Sequence, residues 1–238
     1  MAPELTATQV RLLVEEQRPY FARRPIKAFD ETAWQRLQVF VKERLWENEV
    51  PINVFRVAGT RHPDYQGLTW EEFLHRGKRM DLNLRLLEEN PGYYRAPEKK
   101  LPAMSYLQID GGDYYVDADG NHRTCLAKML FHFTGGALLP GVEVNRYRLD
   151  HDAIALDLAL HARGYEVRPL SRKVGREDNP GWMLETFEVD FEVKLGGRWR
   201  LLDQAAAWEV LDRGSGWWSR LKQQIGNMAT RWQLRPQS

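Results

Sequence analysis

The run Asp119-Gly120-Asn121-His122-Arg123 combines the residue types that a phosphate cradle needs. At a helix start the first backbone N–H groups have no intrahelical partner and the macrodipole presents its positive end. An anion placed there gains hydrogen bonds and favourable electrostatics together. Gly120 permits a strained turn and close approach. Asn121 can cap the helix or donate to a phosphate oxygen, and His122 and Arg123 add donors and positive charge, Arg123 with bidentate geometry. Thr124 completes the candidate phosphate contacts. Asp117 and Asp119 are candidates to hold a magnesium ion or to orient a nucleophile, and His122 joins them as a candidate catalytic group. The same string also reads as an ordinary Gly-Asn turn, with His122 as a core histidine sharing a helical face with Leu126 and Met129.

Other reactive residue types are sparse. Six histidines are present, without the spacing of a metal site, so carboxylates are the better metal candidates. Asp110 and Asp113 accompany Asp117 and Asp119 around one hairpin, where alternate residues face opposite sides, and a charged, solvated hairpin edge is an equal reading of the first two. The single cysteine, Cys125, rules out an intrachain disulfide and any multi-cysteine metal centre, and sits in an apolar helix as a core residue. Arg168, Arg172, Lys173 and Arg176 form a basic loop able to contact the phosphates of nucleic acid. Trp218, Leu221, Ile225, Met228 and Trp232 recur at three- and four-residue steps beside Arg220, Lys222, Arg231 and Arg235. This tail can dock on the domain itself, pair with a second subunit, or contact DNA or an anionic surface.

The elements that must position these residues follow from periodicity and punctuation. Thr8 is the expected cap of a first helix carrying Val10, Leu13 and Val14, and Asp30 that of a longer one through Trp34, Leu37, Val41 and Leu45. Val50 to Val57 reads as a strand. Thr69-Trp70-Glu71-Glu72 has capping-box spacing and opens a helix through Phe73, Met80, Leu84 and Leu87 to the stop at Asn90-Pro91-Gly92. Two strands flank a turn at Gly111-Gly112, and a helix runs from His122 to Gly135-Gly136. Val142 to Leu149 alternates as a strand, Asp150 caps a helix from Ala153 to Ala162, and a second hairpin turns at Gly196-Gly197 before a helix from Ala205 to Leu211. A net charge of +1 leaves no global field to attract nucleic acid, so such binding needs a local patch. No stretch approaches the ~20 apolar residues of a membrane span and the start lacks a secretory signal, so the expected location is cytoplasmic.

Residues 106–162, taken as a block of hairpin, Gly-x-x-Arg helix start, Gly-containing exit, strand and Asp-capped helix, resemble the N-terminal domain of ParB-type proteins and their sulfiredoxin-fold relatives. The nucleoside-triphosphate motif Gly-Glu-Arg-Arg of ParB falls on Gly120, Asn121, His122 and Arg123. The sulfiredoxin motif Gly-Cys-His-Arg falls on the same four, with Asn121 in place of the reactive cysteine, which removes thiolate chemistry. The Asp-Gly-x-His-Arg form is also similar to free-serine kinases and to Osa-type plasmid fertility-inhibition proteins. The resemblance implies ATP or another nucleoside triphosphate as ligand, Mg2+ as companion, and hydrolysis of nucleotide or cleavage of DNA in the manner of ParB-like nucleases. The family's second box, Glu-Asn-x-x-Arg, is missing after Leu160, where the chain reads His161-Ala162-Arg163-Gly164-Tyr165. The helix-turn-helix domain of ParB is not recognisable either.

The expected fold is therefore α+β, a ParB/sulfiredoxin-like mixed sheet with packed helices. Residues 1–48 form an N-terminal helical extension, 49–165 the nucleotide-binding core, 166–213 a basic loop, hairpin and helix completing the domain, and 214–238 a basic amphipathic helix. Three functions stay open: a nucleotide-binding hydrolase or nuclease; a binding or regulatory protein whose partners are DNA or a conjugation or plasmid-maintenance protein, with a dimer among its states; and a small-molecule kinase.

Overall fold

The computed structural model describes residues 5–212. The architecture is mixed α+β, as expected, and divides into two compact units: residues up to 36 with 43–148 and 175–186, and residues 37–42 and 149–174 with those from 187 onward. Among the described residues no helix is long and apolar enough to cross a membrane.

The first unit opens with α1 (Ala7–Gln17). Thr6 caps it, not Thr8, in a reciprocal capping box with Gln9. After the short β1 (Lys27–Ala28) comes α2 (Glu31–Leu37), which stops where a longer helix was expected. A 3₁₀ turn over Gln38–Phe40 leads instead into β2 (Val41–Asn53), so Val41 and Leu45 belong to a strand. The spacing of Trp34, Leu37, Val41 and Leu45 fits a helix, but Val39, Phe40 and Val41 are β-branched or aromatic and favour extended backbone. The expected Val50–Val57 strand is the end of β2, a 3₁₀ turn over Val54–Arg56 and the start of β3 (Val57–Thr60).

The helix expected from Thr69 to Asn90 is two, α3 (Trp70–Arg76) and α4 (Met80–Glu89). The Thr69–Glu72 capping box forms as predicted. Gly77 caps the end of α3, where a Cβ would lie 2.7 Å from the Phe73 carbonyl oxygen, an approach only glycine tolerates.

The hairpin of β4 (Ser105–Ile109) and β5 (Tyr114–Val116) follows. Its central turn residues are Asp110 and Gly111, with φ +48° and +68°, closed by the Gly112 N–H on the Ile109 carbonyl at 2.9 Å. The turn thus sits one residue earlier than expected, because aspartate tolerates the left-handed region. Next come α5 (Asn121–Thr134), ended at Gly135, and β6 (Leu138–Leu149). The sheet order here is β1-β3-β5-β4-β6-β2, continued by residues 182–186 and 175–179 of two later strands. β1 with β3, β3 with β5, and β4 with β6 are parallel, while β4 with β5 is antiparallel. Helices α1, α3, α4 and α5 pack on one another over a core that includes Phe73, Leu84, Met104, Tyr106, Leu126 and Val144.

The second unit contains α6 (His151–Ala162), capped by Asp150 as predicted, and α7 (Gln204–Asp212). Between them run β7 (Val167–Asn179), β8 (Trp182–Leu195) and β9 (Arg198–Leu202), of which β7 and β8 contribute residues to both units. The span expected as a basic loop is β7. Charge density suggested a loop, whereas the arginines are paired along the strand: Arg172 bonds Glu188 and Asp190, and Arg168 lies over the Trp199 ring. The core of this unit is built on Phe40, Leu156, Leu160, Phe191 and Leu211.

Candidate functional site

The turn leading into α5 is held by a residue that the sequence did not single out. Ser105, buried at the start of β4, accepts the N–H groups of Ala118 and Asp119 on its hydroxyl at 2.9 and 3.2 Å. Its own N–H donates to the Asp119 carbonyl and its carbonyl accepts from Asp117 N–H. This clamp fixes the chain where it leaves β5. Gly120 then takes φ +116°, and a Cβ there would meet the Met104 Cβ at 3.3 Å. Both the conformation and the space call for glycine. No side chain caps α5, so its first N–H groups stay directed outward from the helix end.

Asp119 and Arg123 bracket that end. One Asp119 carboxylate oxygen accepts the Gly120 N–H at 2.6 Å and the other accepts Arg123 Nη2 at 2.9 Å. Arg123 is well buried, and it also donates to the Tyr93 hydroxyl at 2.8 Å and to the carbonyls of Pro102 and Ala103. His122 is half-buried among Phe73 and Tyr65, with ring centroids 4.9 and 5.3 Å away, and its Nε2 accepts the Arg79 N–H at 3.4 Å. Burial first, and the positive charge of Arg79 second, push its pKa below the usual histidine range, so the ring is neutral near pH 7. It therefore serves both readings of the sequence, packing on apolar rings while lining a cavity.

That cavity, about 420 Å³, is lined by Asp119, Gly120, His122 and Arg123 from the α5 end. Arg79, Asn83, Leu86 and Asn90 face it from α4 and its flanks, and Tyr93 and Leu101 from the following loop. One end is polar and cationic, and the rest is largely apolar. Sequence reasoning missed the α4 wall. Its signal was present: Arg79, Asn83, Leu86 and Asn90 recur at three- and four-residue steps and share one helix face.

The remaining predicted residues lie elsewhere. Asp117 does not line the cavity; it accepts from Arg61 at 2.7 Å, while Arg61 also donates twice to Glu31 at 2.6 and 2.9 Å. The Glu31 bonds are the main reason the Arg61 pKa is raised. Asn121 is buried and absent from the cavity wall. Thr124 is fully buried, its hydroxyl 2.7 Å from that of Tyr106. Cys125 is buried, with Sγ directed to the Trp70 carbonyl, and burial pushes its thiol up to about 12. Among the described residues no group of three or more His, Cys, Asp or Glu is placed to hold a metal ion.

Of the basic residues on β7, Arg176 is paired with Asp178 in the first unit, while Arg168, Arg172 and Lys173 belong to the second. Trp218, Arg220, Lys222 and Arg231 lie outside the described residues. No protein-family model matches this chain, and comparison with curated proteins and with solved structures returns no match.

Proposed function

We propose that this is a nucleotide-binding protein of the ParB/sulfiredoxin type, with a nucleoside triphosphate such as ATP held by its phosphates at the start of α5. The observation that carries this reading is the coincidence of an uncapped helix N-terminus, bordered by Arg79 and Arg123, with the polar end of a cavity of about 420 Å³. Unsatisfied N–H groups and the helix dipole attract phosphate oxygens, and the apolar stretch with Tyr93, Leu86 and Leu101 suits the flat face of a base. A magnesium ion accompanying the nucleotide would draw its oxygens from phosphate and water, Asp119 being the one carboxylate among the residues that line the cavity.

Binding without turnover is the form the geometry favours over NTP hydrolysis or DNA cleavage. Asp117 is committed to Arg61, off the cavity wall, and the neutral His122 already accepts a backbone N–H on Nε2. A general base must reach its proton directly or through one water, and these candidates are occupied. In that form the protein acts as a regulator whose partner is DNA or a conjugation component.

Calorimetry with ATP, CTP, GTP and UTP, with and without Mg2+, run beside assays of phosphate release and plasmid nicking, tests the reading. Saturable heat with at least one nucleotide is expected, and Arg79→Ala should weaken it about fivefold, the loss of one partly screened charge contact. Phosphate release that depends on His122 would replace the regulator with the hydrolase. No heat with any of the four nucleotides would sink nucleotide binding itself.

A further inference from the structure

Two of the donors at the phosphate site, the Gly120 N–H and Arg123 Nη2, are already taken by an anion belonging to the chain. The Asp119 carboxylate takes the Gly120 N–H at 2.6 Å and Arg123 Nη2 at 2.9 Å, and both residues line the cavity. More than half of the Asp119 side chain is exposed, at 57%, so it is free to leave, whereas that of Arg123 is 12% exposed and anchored by three further oxygens. A carboxylate on the residue next to the donor has a high effective concentration, so a dissolved anion must outcompete a tethered one.

We propose that Asp119 is a built-in competitor for the phosphate site: its carboxylate stands where a ligand phosphate oxygen binds, and it swings out when the ligand enters while Arg123 stays in place. This rests on the phosphate-binding reading above. It gives Asp119 a role opposite to that of a metal ligand or catalytic base, each of which would help the ligand.

Three features follow from the geometry. The released carboxylate moves into water at little cost, because it is already half-solvated. Arg123 keeps its bonds to Tyr93, Pro102 and Ala103, so the vacated Nη2 donor points at the same place before and after. The ligand must carry a strong, compact negative charge, because a neutral or weakly accepting group gains less from those donors than the carboxylate it displaces.

The test compares wild type, Asp119→Asn and Asp119→Ser by calorimetry against inorganic tripolyphosphate and ATP, each with and without Mg2+, with thermal melts to check folding. Both variants should bind both probes about three- to tenfold more tightly than wild type, the range expected when a partly exposed charge pair stops competing, and Mg2+ should not change that ratio. Equal or weaker binding by the variants, with wild-type binding intact, overturns the competitor and leaves the phosphate site standing. Weakening confined to the Mg2+ arm overturns it in favour of a metal-holding Asp119. Absence of binding by all three proteins refutes the site and the competitor together.

Discussion

A guanidinium has five N–H donors and no acceptor, so once buried it must find oxygen on every side. Arg123 finds it on Asp119, Tyr93, Pro102 and Ala103. Its planar fork ties the α5 start to the loop forming the opposite lip of the cavity, so its first duty is to hold the cavity's shape. Lysine carries the same charge on a single nitrogen and cannot span those four oxygens. Arg123→Lys should therefore lower stability by about 1–3 kcal/mol, read as a shifted urea midpoint at unchanged slope. Nucleotide affinity should fall with it even though net charge is preserved. A variant stable as wild type would mean that the loop is held by other contacts.

One wall of the cavity is α4, and the break that separates it from α3 is local chemistry. Thr69 and Glu72 satisfy the first N–H groups of α3, and Gly77 lets its last turn close on Phe73. Thr69→Ala should cost about 1 kcal/mol, measurable by chemical denaturation, and should raise amide exchange at the α3 start. Elements marked by chemistry of this kind were legible in the sequence: the Thr69 box, the Asp150 cap, both hairpins, and α5 with its glycine-rich exit. Those marked by spacing alone were not. Trp34, Leu37, Val41 and Leu45 satisfied a helix template across what is a helix, a turn and a strand. Arg168 to Arg176 looked like a loop because sequence shows the charges of β7 and not the acids on β8 that pair with several of them. The same limit governs the site. The backbone features around Gly120 were readable, whereas Ser105 and the α4 wall come from segments distant in sequence, and nothing in the local string shows that Asp117 turns to Arg61.

Taken whole, the chain carries almost no net charge, and the buried groups with the largest pKa shifts lie in the first unit. Lys128 is buried, with Nζ on the carbonyls of Val57 and Val54 and over the Trp70 ring, and burial pushes its pKa from 10.5 to about 7. Between those values the unfolded chain binds a proton that the folded chain does not, so stability rises with pH across that window, by at most about 5 kcal/mol. Burial shifts Cys125 the other way, from 9.0 to about 12, and raises Tyr94 and Tyr106 as well. The folded chain then keeps protons that the unfolded chain releases, so from pH 9 the Cys125 loss offsets the Lys128 gain, and stability falls once the tyrosines join it above pH 10. Thermal melts should place the maximum between those two pH values, and Lys128→Met should raise the melting temperature at pH 7 and flatten the rising limb. An unchanged rising limb in that variant would assign the dependence to other groups. The lone cysteine has a further use. Because Cys125 is the only thiol in the chain and lies sealed against the Trp70 carbonyl in the helix that begins at the cavity, a thiol-reactive dye can label it only when that helix lifts away. Labelling should therefore proceed at the rate of that opening, and any compound seated at the α5 start should slow it in proportion to its occupancy. The molecule thus contains its own clock for screening ligands, one that needs neither a substrate nor an assayed reaction.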